Sequence, residues 1–143
     1  MSVFNKQVSV NYSVEQMYAL VSDVDAYSEF IPLIASSKII ARQGNELRAV
    51  FTIAKGPLGF EFTTVNTAET CDFIAMRLER GPFKKFKGIW KFTPLAMNRS
   101  LISFYLEFEF SSKFLCLILG GLFNQLCDVM IEAFKSQAAV LYD

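Results

Sequence analysis

The chain has 143 residues, enough for one domain around one hydrophobic core, and its 14 Lys and Arg balance 14 Asp and Glu, so no global field steers it towards DNA or another polyanion. It contains no histidine, which removes Ser-His-Asp and Cys-His catalysis and the common zinc sites. Three widely spaced cysteines, Cys71, Cys116 and Cys127, form neither a disulfide framework nor a thiolate metal site, so no metal or cofactor is expected and a reducing, cytosolic setting fits.

Val3 to Val10 reads as a first strand, with Phe4, Val8 and Val10 on one face and Lys6 as the exception. No uninterrupted apolar stretch of the signal-peptide kind occurs there. Ser13-Val14-Glu15-Gln16 is a capping box, because the Ser hydroxyl and the Gln side chain can each satisfy an exposed backbone N–H of a starting helix. Met17, Leu20, Val21 and Val24 follow at helical spacing. A second short helix is predicted from near Asp25, holding Tyr27 and Phe30 inward until Pro32 stops it; together the two form a lid.

From Ser36 onward the signals are strands and turns: Lys38 to Gln43, Leu47 to Ala54, Phe60 to Ala68, Phe73 to Arg80, Phe86 to Thr93 and Leu101 to Phe110. Short connections make neighbouring strands antiparallel, since a parallel crossover needs about a dozen residues or more. With the first strand there are seven. Side-chain parity sends Phe60, Phe62, Ile74, Met76, Leu78, Gly88, Trp90, Phe92, Phe104, Leu106 and Phe108 inward, and Glu61, Arg77, Glu79, Lys87, Lys91, Glu107 and Glu109 outward. Lys87 and Lys91 beside Glu107 and Glu109 favour pairing of the last two strands.

The last element is a helix from Phe114 to Leu141, apolar on every side through Phe123 and amphipathic thereafter. Its ten-residue apolar block is about half of the roughly 20 residues needed to span a bilayer, so a soluble protein, or one that docks on a membrane surface, is expected. Gly120-Gly121 suggests a close approach, a kink or an opening point, with Phe114 to Leu119 ahead of it suited to meeting a membrane as a guest enters. Cys116 and Cys127 read as small core residues.

Two groups of residues are candidates for function. Fifteen Phe within a 52% hydrophobic composition raise the expectation of an apolar ligand, a membrane contact or an oligomer interface. Trp90, Phe92, Phe104, Leu106 and Phe108, with Phe60, Phe62 and Pro32, face Phe123, Leu126, Met130 and Phe134 on the helix, and could wall a ligand cavity or simply fill a core. The second group is Phe83, Lys84, Lys85 and Lys87 around the Gly81-Pro82 turn, where ammonium groups beside exposed rings suit lipid headgroups or RNA; a solvated hairpin tip uses the same residues. No catalytic residue is assigned, because parity puts Glu107 and Glu109 outside any cavity.

Gly81-Pro82-Phe83-Lys84-Lys85, followed by Gly88-Ile89-Trp90-Lys91-Phe92-Thr93-Pro94-Leu95, resembles the signature of the coenzyme Q-binding and ribosome-association-toxin branch of the START-like, helix-grip superfamily. Tyr12 to Tyr18, Val21 to Tyr27 and Leu106 to Phe110 are similar to its first-helix and last-strand regions, so the likeness covers essentially the whole chain. Relatives usually carry Tyr-Pro-x-Phe-x-Pro where this chain has Tyr27-Ser28-Glu29-Phe30-Ile31-Pro32, without the first proline. The resemblance implies an α+β, helix-grip fold over residues 1–143: seven antiparallel strands wrapped around a long C-terminal helix, with two short helices after the first strand and an apolar tunnel. It further implies a non-enzymatic carrier of ubiquinone or a similar lipid in respiration or quinone biosynthesis, cytoplasmic or peripheral at the inner membrane. The alternative it carries is a toxin that binds the large ribosomal subunit and blocks subunit association.

Overall fold

The computed structural model describes residues 1–143. In chain order the elements are β1 (Ser2–Val10), α1 (Val14–Ser22), a 3-10 turn (Val24–Ala26), α2 (Tyr27–Phe30), β2 (Ile34–Gln43), β3 (Glu46–Lys55), β4 (Leu58–Glu69), β5 (Phe73–Arg80), β6 (Phe83–Ala96), β7 (Arg99–Phe110) and α3 (Lys113–Tyr142). All seven strands form one antiparallel sheet in the order β1-β7-β6-β5-β4-β3-β2. Consecutive hairpins build β2 to β7, and β1 then adds to the β7 edge, Phe4 opposite Leu106 and Val8 opposite Ile102. Lys6 sits on the inward face of this edge strand, half-buried between Phe4 and Val8, where a charge discourages another strand from pairing.

The capping box forms as read: the Ser13 hydroxyl accepts from the Gln16 N–H at 3.1 Å and the Gln16 side chain from the Ser13 N–H at 2.9 Å. Met17, Leu20 and Val21 of α1 are buried as the helical spacing requires. The strand parity also holds, with Trp90, Phe92, Phe104, Leu106 and Phe108 buried and Glu61, Arg77, Glu79, Lys87 and Lys91 exposed.

Helix α3 buries a stripe of Leu119, Leu122, Phe123, Leu126, Cys127, Ile131, Phe134 and Ala138, at the 3-to-4-residue spacing of one helix face. Its C-terminal end is tied to the first helix region, where the Tyr142 hydroxyl donates to the Gln16 carbonyl at 3.0 Å and the Tyr12 hydroxyl to Asp143 at 2.8 Å. By length and composition α3 is apolar enough to cross a membrane, with a mean hydropathy of 1.9 in its most apolar window, of which 39% is buried against the sheet.

Two expectations for this helix are corrected. A Cβ on Gly121 would meet nothing and one on Gly120 only the Cys116 sulfur at 3.6 Å, so the glycine pair marks no close approach, and the helix runs through it unbroken. Cys116 is exposed although it shares the helix face of Leu119, Phe123 and Cys127, because it lies at the start of α3, ahead of the point where that face becomes buried.

Candidate functional site

Between the concave side of the sheet and the helices α1 and α3 lies a cavity of about 450 Å³. Its mouth is bordered by exposed Arg42, Asn45 and Glu46 at the β2–β3 turn and Thr70 after β4. Val21, Ser22, Val24 and Tyr27 close one side, so the helical lid is part of the wall. On the sheet side, a Cβ added at Gly88 would come within 2.9 Å of Met76 Cε and 3.1 Å of Leu106 Cδ1, the ends of two side chains that line the chamber.

Of the residues expected to wall a cavity, Phe62, Trp90, Phe104, Leu106, Phe123, Leu126 and Met130 do line it. The other five do not. Phe60 and Phe108 pack below it in an aromatic floor with Phe83, Phe110 and Phe123, in which Phe83–Phe110 and Phe108–Phe123 ring centroids lie 4.8 Å apart. Phe92 lies under Tyr18 of α1 at 5.4 Å, and Phe134 is wedged between Tyr27 and Trp90 at 5.1 and 5.2 Å. Pro32 is on the outside, in a separate shallow groove with Phe30, Val129 and Glu132. Inward parity brings a ring to the sheet's inner face but does not distinguish contact with a helix from contact with a hollow.

The apolar reading passed over the polar part of the wall. Thr64 and Asn66 are 0% and 5% exposed, and the Thr64 hydroxyl donates to the Asn66 amide oxygen at 2.8 Å. A signal existed in the sequence: continuing the inward parity of Phe60 and Phe62 along β4 reaches both residues. On α1 the Ser22 hydroxyl is sealed from solvent with no hydrogen-bond partner. The Tyr27 hydroxyl, by contrast, donates to the Val21 carbonyl, and burial, reinforced by the charge of Asp23, raises its pKa. Arg42 and Glu46 are the charged residues of the lining, and both stand at the mouth in solvent.

The lysine group differs from its expected form in one residue. Phe83 is 5% exposed, not a surface ring. A β-bulge between Phe83 and Lys85 puts one extra residue into β6, so Phe83 faces inward opposite Phe110 although its parity relative to Phe86 would turn it out. Lys84, Lys85 and Lys87 remain exposed, but Lys85 pairs in register with Glu109 and Lys87 with Glu107, and Lys84 Nζ lies 3.8 Å from Glu109. Lys91 faces Ser103 instead of a carboxylate.

Phe114 and Leu117 are 66% and 84% exposed at the start of α3, with Ile118 beside them. Ser111, just before this helix, bonds Pro82 through both its N–H and its hydroxyl, which places the stripe at the end of the sheet where β6 begins. The mouth is at the other end, where β3 and β5 begin. This stretch therefore does not border the opening, contrary to its expected part in admitting a guest.

A coiled antiparallel sheet gripping one long helix around a mostly apolar chamber defines a START-like, helix-grip protein. The chain belongs to the polyketide cyclase / dehydrase and lipid transport family, whose model matches residues 10–135. It is 38% identical over 142 residues to the ribosome association toxin RatA of Escherichia coli (strain K12), covering 99% of this chain and 90% of that protein. It is 27% identical over 135 residues to the mitochondrial coenzyme Q-binding protein COQ10 of Drosophila melanogaster, covering 92% of this chain and 56% of that one. A START superfamily protein from Mycobacterium smegmatis shares the fold with a TM-score of 0.80 at 23% identity, covering 97% of this chain and 98% of its own. The Zhui aromatase/cyclase from Streptomyces does so at 0.85 and 14%, covering 96% and 93%.

Proposed function

We propose that this chain is a non-enzymatic carrier that holds an isoprenoid quinone, or a lipid of similar shape, and presents it to respiratory or biosynthetic enzymes at the inner face of a bacterial membrane. The observation that carries this reading is the chamber, about 450 Å³ with 19 hydrophobic residues among the 27 that line it. At the roughly 30 Å³ that a water molecule occupies in the liquid, it has room for about fifteen methylene-sized groups. Burying them is worth about 0.8 kcal/mol each, or about 12 kcal/mol before an association cost of at least about 4, which allows a micromolar complex. The family's description includes lipid transport, and one relative is named for coenzyme Q binding.

The test is native mass spectrometry of the purified chain with organic extraction, followed by titration with a short-chain ubiquinone. Co-purifying quinone or lipid, or saturable uptake of added quinone, is the expected result. A chain that carries no such molecule and takes none up overturns the reading.

A second reading, binding of the large ribosomal subunit, is favoured by the 38% identity to a ribosome association toxin over 99% of the chain. Exposed Lys84, Lys85 and Lys87 are its candidate contacts, attenuated by the facing Glu107 and Glu109. Because these lysines are on the outer face and the chamber on the inner one, the two readings can be tested on separate variants. Overexpression is expected to shift sucrose-gradient profiles from joined ribosomes to free subunits, and replacing the three lysines by Glu to reverse the shift. Unchanged profiles remove this reading.

A further inference from the structure

We infer that the chamber is built for a guest bearing a carbonyl oxygen, which accepts a hydrogen bond from the Asn66 amide just inside the mouth while the guest's apolar part extends inward to Phe62 and Phe123. This rests on the carrier reading above and adds the guest's chemical class and its orientation.

Along the inner face of β4, from the mouth inward, the residues run Ala68, Asn66, Thr64, Phe62, Phe60, and the first four line the chamber. Polarity is therefore concentrated near the opening, and about 13 Å of strand separates Asn66 from the aromatic end at Phe62. The bond from Thr64 occupies the amide oxygen, and the Asn66 NH2 group, which has no acceptor in the protein, is not sealed off but accessible where Asn66 lines the chamber. Water can satisfy this donor, so a guest that displaces that water must supply an acceptor in its place or leave the donor unpaired at a cost.

The Asn66 donor selects the guest. A hydrocarbon leaves it unsatisfied. An ammonium brings another donor instead of an acceptor, and a carboxylate would lose its hydration at Asn66 with no buried cation to balance it, since Arg42 stands at the mouth. A ketone, quinone or ester oxygen accepts without bringing a charge. The volume adds a limit of size: a ring with a short apolar chain fits, and a long polyprenyl tail does not unless the aromatic floor opens.

The test uses the full chain and two probes of similar size, a decyl-substituted benzoquinone and decylbenzene, each titrated by calorimetry. Trp90 is the only tryptophan and lines the chamber, so quenching of its fluorescence reports arrival of the quinone inside. Asn66→Leu is expected to weaken quinone binding about tenfold, the value of one lost hydrogen bond to a buried donor, while decylbenzene binds as before or more tightly. Equal changes for both probes, or none, overturn the inference and leave the carrier reading standing. Failure of both probes to bind the unmodified chain overturns the carrier reading itself. Should Asn66→Leu not fold, Thr64→Val removes only the bond that positions the amide; a selective loss of about threefold for the quinone is then expected, and the absence of selectivity is the overturning result.

Discussion

Gly81 stands at the turn into β6 with φ at 153°, and a Cβ there would lie 2.6 Å from the Phe62 Cβ. Phe62 is a wall of the chamber and cannot retreat without disturbing its stack on Phe51 at 5.2 Å. Gly81→Ala is therefore expected to lower stability by about 1–3 kcal/mol, measurable by chemical denaturation. Cysteine reactivity is a second residue-scale outcome. Burial first, and the Asp128 charge second, push the Cys127 thiol up to about 12, whereas Cys116 is exposed. At about pH 8 a thiol reagent should label Cys116 rapidly and reach Cys127 only on unfolding. The sign for stability follows: from the ordinary thiol value of about 8.5 upward, the unfolded chain loses the Cys127 proton and the folded chain keeps it, so this group destabilises the fold progressively as pH rises towards about 12. At this scale, most inward-facing rings were legible from alternation, Phe83 at the bulge being the exception. Which of them border empty space was not, because packing partners such as Tyr18 over Phe92 come from elements distant in sequence.

Strand and helix identities were likewise legible, and the differences have local causes. β2 begins at Ile34 instead of Lys38, because Ile34 and Ser36 pair across an irregularity with Ile53 and Thr52, which strict alternation hides. The bulge in β6 hid Phe83 in the same way. With this ring in the core, Phe83→Ala should cost about 3–5 kcal/mol, whereas an exposed ring would cost almost nothing. Deleting Lys84 removes the extra residue and restores plain alternation, so the deletion should keep Phe83 buried and cost far less than Phe83→Ala. Thermal melts of the two variants settle the matter. On α3, Phe123 forms both chamber wall and aromatic floor, touching Phe62, Phe83 and Phe108 at 6.2, 5.2 and 4.8 Å. Phe123→Ala should lose about 3–5 kcal/mol of stability and open the chamber downward. Titration with quinones of increasing chain length is then expected to show a gain for the longer ones.

Across the whole molecule, charge and oiliness are distributed differently. On the outer face Glu107 and Glu109 of β7 offset part of the charge of the β6 lysines, while exposed Phe114, Leu117 and Ile118 share one end with Lys84 and Lys113. The proposed membrane contact would use this end, with rings and aliphatic chains in the interface and ammonium groups at anionic headgroups. Flotation with vesicles rich in phosphatidylglycerol should recover the chain, and Leu117→Glu should abolish recovery while leaving quinone binding intact; recovery unaffected by this change would locate the contact elsewhere. The opposed poles of the molecule have a directional consequence. A chain standing on a bilayer by the start of α3 holds its doorway up towards the aqueous phase, the posture of a dispenser that hands cargo to a partner arriving from solution and not of a ladle dipping into the leaflet beneath it.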